Sequence, residues 1–336
     1  MKSLDKFPKF GKGFDNDAYH HDVRTNVAVD SPYTGEVGLE LELEGRNLPS
    51  AYRGQSVAGV MWTAHEDGSL RAEGGNGRGG MEYVLSQPCQ RDDVPATVNA
   101  LFDFLATSKA VINNSTRCST HVHVNAKGMK LNELAAFVAL WGTFEDVLTY
   151  YCGAHRSGNH FALRLSDSHF AVNQWVSAFQ TGNFSFPNEY RYLALNPACL
   201  KTFGSLEVRT MRGVDNTRDV VEWVNLVLAV RDAAKLFKDP TEIAATFSGD
   251  GSLSFADRVF GPMTGVLRQA TAELDEDFEA AIRAGFRRVQ PIIYSLPWQA
   301  VLPEIERVYV PNPFGSPKKT RLAYLGEPAE AIGRFN

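Results

Sequence analysis

Gly35-Glu36-Val37-Gly38-Leu39-Glu40-Leu41-Glu42-Leu43-Glu44-Gly45 alternates apolar and acidic residues at period two between glycines. That period belongs to a strand, with Val37, Leu39, Leu41 and Leu43 on one face and Glu40, Glu42 and Glu44 on the other. Successive carboxylates on one strand face stand about 6.5–7 Å apart. They repel unless water, arginines or divalent cations lie between them, and two hard cations would each need such oxygens. An exposed antiparallel strand with a solvated acidic face carries the same pattern. Similarly built stretches further along the chain favour the metal reading.

Before this strand, residues 1–34 mix Gly, Pro, Asp, Lys and His without periodicity, which predicts an extended N-terminal arm. After it, Ser56 to His65 is a second strand candidate running into the turn signal Glu66-Asp67-Gly68-Ser69. A loop over Arg71–Gly80, rich in glycine from Gly74, leads into a short strand, Met81-Glu82-Tyr83-Val84-Leu85-Ser86. Arg91 to Ser108 has acids and Pro95 at its start and apolar residues at helical spacing. Ser119-Thr120-His121-Val122-His123-Val124-Asn125 alternates again, and Leu131 to about Tyr151 is a long amphipathic helix. Residues 153–189 are irregular, with a short helix from Asp167 to Phe179. Strands are then expected at Tyr190–Leu195 and Ser205–Met211, and Thr217 is expected to cap a helix ending near Phe237. Beyond Pro240 the pattern is helical over Thr241–Phe247, Ser254–Phe260, Thr264–Ala284 and Trp298–Val308.

Strands in pairs followed by single long helices predict an α+β fold, an antiparallel sheet with helices on one face and a helical C-terminal third. The other sheet face is then free to be polar and to carry the acids and histidines.

The 336 residues are 44% hydrophobic and 22% charged, an ordinary globular composition. A formal net charge of -5 argues against a protein built mainly to hold nucleic acid. No apolar run approaches a membrane span and the first residues have no apolar signal region, so no membrane partner and a cytoplasmic location are expected. Cys89, Cys118, Cys152 and Cys199 are scattered and read as reduced thiols, mostly core.

Further candidates lie on the later strands. His121 and His123 project from one strand face, suited to metal or phosphate, with a hydrogen-bonded structural pair as the alternative. Glu82 is a single carboxylate in an apolar strand, either solvated or a ligand. Asp67 reads as a turn residue, with an acid standing behind the metal ligands as the alternative. Glu207 and Arg209 share a face in Leu206-Glu207-Val208-Arg209, as a plain ion pair or as a metal ligand beside a phosphate-binding guanidinium. Arg191 and Arg212 are further cations. No phosphate-binding P-loop, dinucleotide fingerprint or serine nucleophile elbow occurs, and Cys118 is placed on the opposite face from His121.

Taken in order, Gly38-Leu39-Glu40-Leu41-Glu42, Glu66-Asp67-Gly68-Ser69, Met81-Glu82-Tyr83-Val84-Leu85-Ser86, Cys118-Ser119-Thr120-His121-Val122-His123-Val124, Arg191-Tyr192-Leu193-Ala194-Leu195-Asn196 and Leu206-Glu207-Val208-Arg209 resemble the putative amidoligase family. These are carboxylate-amine ligases related to glutamine synthetase and glutamate-cysteine ligase, often encoded by bacteriophages and in bacterial gene clusters. The resemblance covers roughly residues 35–235. It implies a glutamine-synthetase-like curved antiparallel sheet over residues 35–240, holding ATP and Mg²⁺ on its concave face, with residues 241–336 as a helical extension packed on it.

By the same resemblance Glu40 and Glu42 are paired acids serving different metals, and Glu82 shares the metal of Glu42. His121 and Glu207 complete the metal of Glu40. His123 meets nucleotide or phosphate, Arg191 and Arg209 hold the γ-phosphate and the acyl phosphate, and Arg212 is a weaker cation of that kind. The implied reaction is ATP-dependent ligation of a small-molecule, peptide or protein carboxylate to an amine through an acyl phosphate, with the Gly74–Gly80 loop as a lid or a hairpin end. Two alternatives are a metal-dependent hydrolase or lyase using the same Glu/His face without nucleotide, and a non-enzymatic phage protein retaining the fold. The oligomeric state and the identity of the substrates are not readable.

Overall fold

The central strand β1 (Val37–Arg46) forms where the acid alternation predicts it, and its pleat sets the rest of the sheet. Val37, Leu39, Leu41 and Leu43 are fully buried on one face, joined there by Tyr83, Leu85, Val122, Val124 and Val208 from neighbouring strands. The computed structural model describes residues 35–70, 78–127 and 129–308.

Among these residues seven strands make one open sheet: β1, β2 (Trp62–His65), β3 (Arg78–Leu85), β4 (Val111–Ile112), β5 (Ser119–Asn125), β6 (Leu195–Asn196) and β7 (Ser205–Arg212). The order is β2-β3-β1-β5-β7-β6, with β4 pairing β1 off that path. β1 runs antiparallel to β3, β4 and β5, and β2 antiparallel to β3. The helices are α1 (Val94–Thr107), α2 (Leu131–Cys152), α3 (His169–Thr181), α4 (Cys199–Phe203), α5 (Thr217–Ala234), α6 (Pro240–Phe260), α7 (Thr264–Ala272), α8 (Phe278–Ile293) and α9 (Trp298–Val308). The chain is therefore α+β, with an antiparallel sheet and a helical stretch beyond Pro240. No helix among the described residues is long and apolar enough to cross a membrane.

Two compact units divide the chain, one of residues 35–125 with 207–227 and one of residues 126–206 with 228–308. The first holds β1 to β5, most of β7 and the start of α5. Its helix α1 is tied to the sheet by Trp62, whose indole Nε1 donates to the Thr97 carbonyl at 3.0 Å. Chain entry to α5 is capped by Asn216, whose Oδ1 accepts from the Asp219 amide at 2.9 Å. Thr217, the residue expected to cap, instead donates to Asn99 Oδ1 at 2.6 Å.

The second unit is mainly helical. Helices α2 and α8 meet at glycines: a Cβ on Gly285 would stand 2.2 Å from the Thr143 carbonyl oxygen, so only a hydrogen lets the two backbones approach. Glu145 of α2 accepts from the Leu165 amide at 2.6 Å and from Trp141 Nε1 at 3.3 Å. Its neighbour Asp146 takes Arg164 at 3.0 Å and Arg288 at 3.1 Å, joining α2 to α8 and to the loop between.

Several expected boundaries move, each for a local reason. The strand expected at Tyr190–Leu195 is a 3₁₀ turn, Asn188–Tyr192, followed by the two-residue β6. There the Leu193 amide bonds back to Tyr190, and Tyr192 and Ala194 exchange backbone bonds with Leu163. The two segments Thr241–Phe247 and Ser254–Phe260 are halves of α6, kinked at Gly251, where φ is 75°. The stretch expected as one helix over Thr264–Ala284 breaks at Asp275, whose φ is 57°, and restarts where Asp277 caps α8. Residues 78–80, expected in the glycine loop, belong to β3, paired with Gly45 and Glu44 among others. Residues 71–77, with the rest of that loop and its role as a lid, lie outside the described residues, as does the arm over residues 1–34.

Candidate active site on the acidic face of the sheet

The first unit's sheet turns its acid-bearing face to a buried cluster. The strand registers place Glu42 directly across from Glu82, Glu40 across from His121, and Gly38 across from His123. β7 lies beside β5 and brings Glu207 and Arg209 to the same side. His121 Nδ1 lies 2.8 Å from Glu40 Oε2 and 3.3 Å from Glu207 Oε1, and His121 Nε2 lies 3.9 Å from Glu42 Oε1. Two three-donor groups follow, Glu40 with His121 and Glu207, and Glu42 with Glu82 and His121, each with its ligand atoms within 4.8 Å of one another. Residues from four strands thus converge through one shared imidazole.

The polar face is as buried as the apolar one: Glu40 and Glu207 are 0% exposed, His121 1%, Glu82 2% and Glu42 5%. Part of the cover comes from the turn after β2. The Ser69 amide bonds Asp67 Oδ1 at 2.6 Å, and Leu70 then lies where a Cβ on Gly80 would be, 2.3 Å from the Leu70 Cβ. Gly80 admits that leucine onto the acid side of β3.

Packing acids together without solvent raises their proton affinity. Burial, with the charges of Glu82 and Glu207 adding to it, holds the Glu40 carboxyl well above the usual range against the opposing pull of Arg209. Burial likewise pushes Glu42 up to about 8, with Arg209 opposing, and Glu82 up to about 7, with the charge of Asp67 adding. Burial takes His123 down to about 4, leaving a neutral imidazole. Burial works against the Arg209 charge too, but Glu207, Glu42 and Glu40 outweigh it and keep the guanidinium firmly protonated. Arg209 Nη1 bonds Glu207 Oε1 directly.

The donor set suits a hard divalent cation: carboxylate oxygens dominate, one imidazole joins them, and Glu82 Oε1 is buried with no hydrogen-bond partner. Such an orphaned acceptor costs about 1–3 kcal/mol unless something positive meets it.

Of the other expected residues, His123 comes to the cluster, but its Nε2 is 3.1 Å from Glu40 Oε1. Arg212 does not: strand alternation puts it with Leu206 and Val208, and Nη2 donates to Asp219 Oδ2 at 3.3 Å. Arg191 belongs to the second unit, where Nη2 donates to Tyr192 Oη at 2.6 Å and the guanidinium lies 4.8 Å from that ring's centre.

Two contributors were not singled out from the sequence, and a third was read mainly as a turn. The Ser119 amide donates to Glu42 Oε2 at 2.7 Å, a backbone contact no residue type announces. His65 stands across from Glu82 with Nε2 3.0 Å from Thr63 Oγ1, a placement that needs the β2–β3 register. Asp67 makes the expected turn and also acts through its charge on Glu82 and Glu42. Cys118 precedes β5 rather than lying in it, so strand parity does not place it. Burial, with Glu44 and Glu42 adding, pushes its thiol up to about 12, which removes it as a nucleophile. All four cysteines are reduced thiols and buried.

An open antiparallel sheet thus gathers carboxylates, imidazoles and a guanidinium on one buried face. The profile described as a putative amidoligase enzyme matches residues 35–230, which takes in β1 through most of α5. The chain belongs to the putative amidoligase family, and at that level it is a ligase-type enzyme. No curated protein matches it.

Proposed function

We propose that the protein is an ATP- and Mg²⁺-dependent carboxylate-amine ligase, working on a glutamine-synthetase-like sheet and forming an amide or isopeptide bond through an acyl phosphate. The observation that carries this reading is the convergence of Glu40, Glu42, Glu82, His121 and Glu207 on one buried sheet face with Arg209 beside them. Glu40, His121 and Glu207 would hold one cation and Glu42, Glu82 and His121 the region of another, and bound Mg²⁺ would supply neutralisation of the triphosphate.

Phosphoryl transfer asks a protein for alignment and charge compensation more than for covalent participation. In the first step a substrate carboxylate oxygen attacks the γ-phosphorus of ATP, the bond to the β-γ bridging oxygen breaks, and ADP leaves. In the second an amine nitrogen attacks the acyl carbon, the bond from that carbon to the phosphate oxygen breaks, and the nitrogen gives up a proton. Arg209, held in its charged form by three carboxylates, is suited to the phosphoryl oxygens in both steps. The partners are a small-molecule, peptide or protein carboxylate and an amine.

Isothermal titration with a non-hydrolysable ATP analogue and Mg²⁺ tests the reading. Binding that needs both together is expected; no heat at millimolar nucleotide would reject it.

A further inference from the structure

Glu40 and Glu42, on one face of β1, each have one oxygen against a nitrogen of β5 while the other oxygen turns toward His121. Glu42 Oε2 accepts from the Ser119 amide at 2.7 Å, and Glu42 Oε1 is the atom 3.9 Å from His121 Nε2. Glu40 Oε1 is 3.1 Å from His123 Nε2, and Glu40 Oε2 is the atom 2.8 Å from His121 Nδ1. With Glu40 ionised, as a metal ligand must be, its carboxylate only accepts, and the His123 contact then takes the proton on Nε2. The register explains the reach: His123 is opposite Gly38, which has no side chain, and diagonal to Glu40. With nothing opposite, its ring leans across to the neighbouring acid.

We infer that His123 is a positioning residue for the cation of Glu40, His121 and Glu207, clamping Glu40 Oε1 so that Oε2 presents to the metal. It does for Glu40 what the Ser119 amide does for Glu42. The inference rests on the cation reading of the cluster and replaces the nucleotide contact that the resemblance implies for this residue. Hydrogen bonds to metal-ligating carboxylates fix their orientation, and losing one typically weakens metal binding about 10- to 100-fold.

The test is titration of the whole protein with Mn²⁺ alone, followed by calorimetry and by the paramagnetic signal of free Mn²⁺. Wild-type protein is expected to show two classes of site. His123→Ala should weaken one class 10- to 100-fold and leave the other unchanged. His123→Gln, whose Nε2 can occupy the place of the imidazole donor, should recover most of the loss, which also separates positioning from misfolding. Unchanged Mn²⁺ binding in His123→Ala with weakened binding of an ATP analogue would overturn the inference and return His123 to the phosphate. Equal weakening of both classes, or a His123→Gln variant no better than His123→Ala, would overturn it as well. Wild-type protein that takes up no Mn²⁺ would instead remove the cation reading, and the inference with it.

Discussion

Glu82 shows how much one oxygen can report. Its Oε1 is buried without a partner, directly across from Glu42, and its carboxyl is pushed up to about 7. With no cation present, an ionised Glu82 costs stability at pH 8, so Glu82→Gln should stabilise the metal-free protein by about 1–3 kcal/mol. The same change removes a ligand and should shrink the rise in melting temperature that wild type shows with Mg²⁺. Urea denaturation with chelator and melting with and without Mg²⁺ measure the two halves. A variant that is less stable without metal, or that keeps the full Mg²⁺ shift, refutes the ligand role. Glu42→Ala and Glu207→Ala should each lower ATP-dependent phosphate release by about 10²-fold or more while the protein stays folded. Full release in either would reject its assignment.

At the scale of elements, the sequence shows most clearly what periodicity controls. β1, β5 and β7 are visible because apolar and polar residues alternate, and α2 because apolar residues recur every three or four positions. The same alternation brings Glu40, Glu42, Glu82, His121 and Glu207 to one face once register is added, and register is set by pairing that no single strand encodes. The turn at Asn188–Tyr192 was hidden because its backbone bonds go to Leu163 and to its own residues. Arg212 was mistaken for a site cation although its even position in β7 puts it with Leu206 and Val208. Burial of the acid face was also hidden, since alternation looks the same whether the polar side meets water or protein. Close helix approach likewise follows from backbone distance: Gly285→Ala would press a Cβ into the Thr143 carbonyl of α2, a rigid neighbour. A loss of about 1–3 kcal/mol is expected, from α2 and α8 being forced apart. Wild-type stability in a urea titration of this variant would show that the helices can part freely.

For the whole molecule, the buried acids and His123 together set how stability responds to pH. Glu42 and Glu145 are each pushed up to about 8 and Glu82 to about 7, chiefly by burial, from 4.5. The folded state therefore holds protons that the unfolded chain has released, and stability falls as pH rises from about 4.5 toward 8. His123 works the other way: burial lowers it from 6.5 to about 4, so the unfolded chain takes up a proton that the folded state refuses. Stability is lost as pH falls through that window. Three raised acids outweigh one lowered imidazole, so metal-free protein should lose stability steadily from about pH 5 upward, by on the order of a few kcal/mol at pH 8. Cations that take the place of protons on Glu42 and Glu82 should restore part of the loss at pH 8. Glu145 lies in the other unit, beside Leu165, Trp141 and Asp146, and its share should persist with Mg²⁺ present. Glu145→Gln keeps an oxygen for the Leu165 amide and removes the titration, so it should flatten that residual slope. Denaturation midpoints from pH 5 to pH 8, with and without Mg²⁺, separate the two contributions. A slope that Mg²⁺ leaves untouched would show that the site acids do not exchange protons for cations, and a Glu145→Gln slope equal to wild type would place the remainder elsewhere.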